Sequence, residues 1–162
     1  GTSSTLRLKS ALNRGGTVEY IYMTNVVADG VQNVLAADLN WNPSYSYSEL
    51  PAEYEGKEVP EHWNVMLQKV EPVEKGYPHF NHVYLANVKA TNAKQFISAS
   101  GWNDSLTLND FTLYNLDVEA EKAGIVAHTK KFRLTDIKLK ISDNSQIEFN
   151  KNSQLKKNIR YE

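Results

Sequence analysis

The sequence predicts an all-β fold in which short strands stack as the coils of a parallel β-helix. The main observation is a repeated pattern in the segments 21–26, 83–88, 111–116 and 132–137, each of which reads apolar, any, apolar, any, Asn or Asp, apolar. The second observation is the spacing of the polar position, since Asn25, Asn87, Asn115 and Asp136 are separated by one long interval and then by two short ones. The third is a proline-rich stretch that interrupts the long interval.

Alternation of apolar residues with a period of two puts them on one face of a strand. The Asn or Asp that follows suits the end of a strand, because its side chain bonds nearby backbone and tolerates a turn. The two short intervals, from Asn87 to Asn115 and from Asn115 to Asp136, each fit one coil of a stacked repeat. We therefore expect the four polar residues to form a ladder. An antiparallel β-sandwich is the alternative, because its short strands alternate in the same way, whereas no stretch keeps a helical period for long.

The interval from Asn25 to Asn87 is longer than one coil by roughly the length of the stretch 39–79. This stretch holds all five prolines and six aromatic residues, namely Trp41, Tyr45, Tyr47, Tyr54, Trp63 and Tyr77. Proline removes a backbone donor, so the stretch is not a central strand. The aromatic content argues against disorder. It predicts a long, ordered loop between coils, of the kind that is often functional.

Residues 1–162 are expected to form a single domain, and the polar tail 153–162 is expected to fray or to cap the open end of the stack. Lys plus Arg number 18 and Asp plus Glu number 19, for a formal net charge of -1. That balance gives no reason to expect nucleic acid or a membrane as a partner. The chain has no cysteine, and the four histidines lack the spacing of a zinc site, so no metal and no cofactor is expected.

Arg7 and Lys9 are the first candidates for a binding site. On a strand they point to one side, about 7 Å apart, and Leu6 and Leu8 point to the other. Such a pair suits a carboxylate or a phosphate, because Arg offers a planar fork and Lys a point charge. A solvated strand face with two basic residues is the plainer interpretation.

The aromatic residues of the loop are the second candidates. Trp41, Tyr45, Tyr47 and Trp63 are expected to line a sugar subsite, because aromatic faces stack on sugar rings. The alternative is that these rings pack the loop onto the strands as a local core. The loop carries seven glutamates against three lysines, so we expect it to touch a polyuronate by one aromatic edge only.

Arg7-Leu8-Lys9 resembles the Arg-Ile-Lys motif of the family 28 glycoside hydrolases, the polygalacturonases and their relatives. In that family the motif binds a substrate carboxylate on the leaving-group side of the cleavage point. Four further segments look similar to bacterial members: Asn13-Arg14-Gly15-Gly16-Thr17-Val18-Glu19, Asn40-Trp41-Asn42-Pro43, Pro60-Glu61-His62-Trp63 and Gly76-Tyr77-Pro78-His79-Phe80. The resemblance covers nearly the whole chain. It implies a right-handed, pectin lyase-like β-helix and a periplasmic or extracellular location.

The family's catalytic acids lie in Asn-Thr-Asp and Asp-Asp motifs, followed by Gly-His-Gly, and this sequence contains none of the three. Glycoside hydrolysis needs two carboxyl groups flanking the bond. We therefore expect no catalytic residue here. The chain is expected to be the C-terminal part of a pectin-degrading hydrolase, contributing substrate binding toward a uronic-acid-containing saccharide. The alternative is a non-catalytic β-helix module that binds carbohydrate or protein.

An open stack of coils exposes the edges of its strands. We therefore expect the chain either to associate end to end as a homodimer or to be only marginally stable.

Overall fold

Alternating apolar residues build a sheet-rich structure in which the strands run parallel. The computed structural model describes residues 2–43, 46 and 49–162. The strands are β1 Ser4–Lys9, β2 Thr17–Asp29, β3 Asn33–Asp38, β4 His79–Ser100, β5 Leu108–Ile141, β6 Glu148–Ser153 and β7 Lys156–Tyr161. Each pairing between these strands is parallel. The all-β prediction with parallel strands is confirmed, and the antiparallel sandwich is excluded.

The pairings fall into two columns, by which we mean two stacks of laterally paired strand segments. The long strands β4 and β5 contribute to more than one stack, because each pairs through two halves. The first half of β4 pairs with β2 and its second half with β3. The same division holds for β5, which pairs with β7 around Leu134 and with β6 around Val126. One column thus contains β1 and β3, and the other contains β2 and the first half of β4.

The predicted polar ladder is present, and its residues bend strands that were expected to end there. Asn25, Asn87, Asn115 and Asp136 have left-handed φ angles of 60°, 54°, 54° and 55°. Asn and Asp tolerate this conformation better than most residues. The amide of Asn87 donates to Asn25 at 3.0 Å, and that of Asn115 donates to Asn87 at 2.8 Å. Each bend lets the strand turn while its neighbours stay in register.

A second row of left-handed residues lies five positions before the first. It consists of Tyr20, His82, Asp110 and Lys131, with φ angles between 52° and 57°. These residues share no chemistry, so the sequence pattern does not reveal the row. It marks a second bend at the same intervals along the chain.

The core consists of the inward-pointing side chains of both columns. Phe111 and Phe132 stack there, with ring centroids 5.5 Å apart and planes 11° from parallel. Both side chains are fully buried, together with Phe80 and Phe96. Burial of such side chains is worth about 1.5 to 3 kcal/mol each.

The long loop leaves the sheet after Asp38 and returns at His79. Among its described elements are a short helix, α1 (Glu61–Met66), and the 3₁₀ turns Ala52–Tyr54 and Val73–Gly76. The loop docks on the β1–β2 connection, where the Gly15 N–H donates to the Gly76 carbonyl at 2.9 Å. A Cβ at Gly15 would lie 2.3 Å from the Lys75 carbonyl oxygen, so glycine is required at this contact.

The C-terminal tail is not frayed. Lys156–Tyr161 forms β7, which pairs with β5. A capping role for this tail stays a prediction. Its polar face follows from exposed residues such as Lys157 and Arg160.

Candidate functional site

Arg7 and Lys9 lie side by side on the outward face of β1. Leu6 is buried beneath them, and both cationic side chains are exposed. The strand alternation predicted from the sequence therefore holds. Their register partners on β3 are Ala36 and Asp38.

Trp41 joins the two cations into one cluster. The Arg7 guanidinium carbon lies 5.5 Å from the Trp41 ring centroid, and Lys9 Nζ lies 4.2 Å from it. Both distances are within the range of a cation–π interaction, which is worth about 0.5 to 1 kcal/mol at an exposed site. The Trp41 N–H donates to the Ser10 carbonyl at 3.1 Å, which holds the start of the loop against the end of β1. The structure thus brings together three of the six predicted binding residues.

Asp38 supplies a carboxylate beside this cluster, since it is the register partner of Lys9. Burial raises the pKa of Asp38, and a hydrogen bond from the Asn40 N–H, at 2.7 Å, opposes that rise. The side chain of Asn40 in turn accepts from the Leu12 N–H at 3.3 Å. These contacts fix the corner at which the chain leaves β3 and presents Trp41.

The other predicted aromatic residues have different positions. Trp63 lies on α1, where its ring is 6.1 Å from Tyr54 and 5.6 Å from His62. Both partners belong to the loop itself, so the described ring contacts of Trp63 are neither with the Arg7 cluster nor with the strands. Tyr45 and Tyr47 lie outside the described residues.

A groove of about 780 Å³ opens elsewhere, between the loop and the β1–β2 connection. It is lined by Asn13, Arg14, Ser46 and the loop residues 65–71 and 73. The lining does not include Arg7, Lys9 or Trp41, so the predicted cluster lies outside this groove.

The structure assembles one cluster of charged residues that the sequence interpretation missed. His82 Nδ1 lies 2.8 Å from Asp110 Oδ2, and the Arg133 guanidinium donates to Asp110 Oδ1 at 2.6 Å. Arg133 lowers the pKa of Asp110 most, and His82 lowers it further, against the opposing effect of burial. His82 and Asp110 are 28 residues apart, the same interval as that between Asn87 and Asn115 in the polar ladder. Applying that interval to His82 would have found the pair.

No family model, no curated protein and no solved structure matches the chain. Within the described residues, no helix is long and apolar enough to cross a membrane. The described part of the chain also contains no group of three or more His, Cys, Asp or Glu side chains arranged to hold a metal ion.

Proposed function

We propose that this protein binds uronic-acid-containing saccharides as the C-terminal part of a pectin-degrading, polygalacturonase-like glycoside hydrolase. The observation that carries the proposal is the cluster of Arg7, Lys9 and Trp41 on one exposed face. Two cations and an aromatic ring are what a uronate needs, because it has a carboxylate and an apolar ring face. The proposal includes a periplasmic or extracellular location, as the family resemblance implies.

The cations are the groups that would hold the sugar carboxylate. Charge-assisted hydrogen bonds to a carboxylate are shorter and stronger than neutral ones. Contact with Trp41 restrains Arg7 and Lys9 before ligand arrives, which reduces the side-chain entropy lost on binding. Arg7 would supply two parallel donors, and Lys9 would add a point charge.

We further propose that the strands close into a right-handed, pectin lyase-like parallel β-helix, a partial solenoid with one long loop between coils. The support is the register, which keeps the same offset across both pairings of β4 with the earlier strands. The ladder of Asn25, Asn87 and Asn115 supports the same arrangement. Right-handed crossovers are the rule for parallel strands.

Asp38 is the acid in register with Lys9, and one carboxyl group does not make a glycosidase. Hydrolysis with inversion requires a general acid and a general base on opposite faces of the sugar. We therefore expect binding by this chain and no cleavage of α-galacturonic linkages. The same expectation follows for the second candidate, a non-catalytic module that binds carbohydrate or protein. The two candidates predict different results for a longer chain that carries the family's Asn-Thr-Asp and Asp-Asp motifs. The hydrolase would cleave polygalacturonate, and the non-catalytic module would not.

The test is calorimetric titration of the protein with digalacturonate. Arg7→Ala/Lys9→Ala is expected to weaken binding at least tenfold, and Trp41→Ala to weaken it severalfold. Lys138→Gln is the matched control, because Lys138 is an exposed cation on the part of β5 that pairs with β7, and its loss should leave the affinity unchanged. Binding of equal strength in the double variant, or no binding by the unaltered protein, would sink the proposal.

A further inference from the structure

We propose that a second surface, on strands other than the one that carries Arg7, binds acidic oligosaccharides. We call it the tyrosine face, and it consists of Tyr20, Tyr22, Tyr84 and Tyr114 together with His82, Asp110 and Arg133. It lies on the column of β2 and the first half of β4, whereas Arg7 belongs to the column of β1 and β3. The proposal does not depend on the Arg7 cluster.

The aromatic half of the tyrosine face is exposed and ordered by contacts between rings. The exposed fractions of Tyr22 and Tyr20 are 71% and 60%. Tyr22 and Tyr84 are register partners, with ring centroids 6.3 Å apart and planes tilted by 48°. Tyr20 stacks on His82 at 4.9 Å, with planes 5° from parallel. An apolar ring ending in a hydroxyl suits a ligand that is itself half apolar and half polar.

The charged half begins one strand further along. Tyr84 pairs in register with Thr112, and the Arg133 guanidinium lies 3.3 Å from the Thr112 hydroxyl. Asp110 anchors the same guanidinium nitrogen, so the Arg133 side chain has a fixed direction. Its described hydrogen bonds all use one terminal nitrogen, which leaves the other terminal nitrogen and Nε as donors. These two donors match a carboxylate.

Two further cations flank the charged half of the tyrosine face, in addition to the residues that define it. Lys156 is the register partner of Arg133 on β7, and Lys131 precedes Arg133 by two positions on β5. Asp110 is the single acid of the tyrosine face. An anionic ligand is therefore favoured over a neutral one.

The spacing sets the size of the ligand. From Tyr22 through Tyr84 to Thr112 there are two steps between paired strands, or roughly 10 Å, and the Arg133 guanidinium lies against Thr112 at the far end. That length accommodates a short oligosaccharide whose first rings stack on Tyr22 and Tyr84 and whose acidic group reaches Arg133. The paired strands β2, β4 and β5 hold these positions in register, which limits the entropy lost on binding.

The experiment uses the full chain in the Arg7→Ala/Lys9→Ala background, which silences the first cluster. Titration with trigalacturonate is followed by calorimetry and by amide chemical-shift mapping. We expect saturable binding, with shifts concentrated at Tyr22, Tyr84 and Thr112. Tyr22→Ala and Arg133→Gln should each weaken it at least tenfold, and Tyr22→Phe should retain most of it, whereas Arg133→Lys should retain only part, because lysine keeps the charge and loses the two-donor fork.

Two controls keep the outcome interpretable. Trp102→Ala removes an aromatic side chain that is 46% exposed elsewhere, and it should leave affinity unchanged. The neutral trisaccharide maltotriose should bind at least tenfold more weakly than trigalacturonate. No saturable binding in this background, insensitivity to both Tyr22→Ala and Arg133→Gln, or equal affinity for maltotriose would overturn the proposal. Because Tyr22 is exposed, its replacement tests the surface without disturbing the core.

Discussion

The side-chain amide of Asn87 donates a 3.0 Å hydrogen bond to the side-chain oxygen of Asn25, 62 residues earlier in the chain. Asn115 makes the same bond to Asn87, 28 residues later. All three residues have left-handed backbone, so each is held both by its conformation and by its neighbour. The two contributions can be separated by substitution.

Asn87→Ala should lower the free energy of unfolding by about 2 to 3 kcal/mol. The change removes two hydrogen bonds and leaves a Cβ in a left-handed position without the short polar side chain that makes asparagine tolerant of it. Asn87→Gly removes the same bonds but relieves the backbone, so it should be about 1 kcal/mol more stable than the alanine variant. Urea denaturation of the three proteins measures both differences. A glycine variant no more stable than the alanine variant would show that the backbone conformation contributes nothing.

Gly124→Ala should be among the most damaging single substitutions, at about 3 kcal/mol or more. A Cβ at Gly124, where φ is 102°, would lie 1.8 Å from the Ile97 carbonyl oxygen on the neighbouring strand. Gly30 is the matched control, because it also has left-handed backbone but an added Cβ would have nothing within 4 Å. Gly30→Ala should cost about 1 kcal/mol. Thermal melts that rank the two variants in the opposite order would contradict the strand contact.

Asp110→Asn should remove part of the acid sensitivity of the fold. The folded-state pKa of Asp110 lies below its ordinary value of 3.8, chiefly because of Arg133. The ionised carboxylate therefore stabilises the fold fully above pH 3.8, and that contribution is lost as pH falls through the lower, folded-state pKa. The stability difference between the unaltered protein and Asp110→Asn should be largest above roughly pH 5 and should shrink on acidification.

Arg133→Gln is the companion variant for this measurement, because it removes the largest cause of the shift. It should weaken the pH dependence in the same acidic window. Denaturation curves collected across that window test both variants. If the difference between the unaltered protein and Asp110→Asn stays constant from neutral to acidic pH, Arg133 does not stabilise the carboxylate.

Val27→Lys should reduce self-association. We propose that copies of the chain meet end to end through β2, whose register partner is β4 on one side. Val27 is 83% exposed on this strand, and the inward residues Ile21 and Met23 are only partly buried. A lysine on such an edge opposes pairing with another strand.

Sedimentation velocity over a range of concentrations tests this association. The unaltered protein should shift toward dimer as concentration rises, and Val27→Lys should remain monomeric. Val65→Lys, at a residue 68% exposed in the loop, should behave like the unaltered protein. A monomer at every concentration would refute the association.

Much of the sheet follows from sequence because one chemical type recurs at one structural position. Asn is preferred where the backbone is left-handed, so Asn25, Asn87 and Asn115 mark both the bends and the register. The second row of bends carries Tyr20, His82 and Lys131, whose chemistry has nothing in common. Neighbouring strands impose that backbone, and a single sequence does not report such tertiary control.

In the candidate site, too, some features follow from local sequence and others depend on how the chain folds. Local alternation was sufficient to put Arg7 and Lys9 on one face of β1. Trp41 was identified as an aromatic candidate, but its contact with both cations depends on how the chain turns after β3. The Asp110 cluster joins His82 of β4 to two separate parts of β5, and it becomes visible only when the interval between Asn87 and Asn115 is applied to every polar residue.

The loop after Asp38 is inserted at a single point in the strand register. Both pairings of β4 with the earlier strands keep the same offset along the chain, so the whole insertion is absorbed between β3 and β4. The segment can therefore change length without moving any strand relative to its neighbours. This junction is a natural grafting point, at which evolution or an engineer can exchange one recognition element for another and leave the scaffold intact.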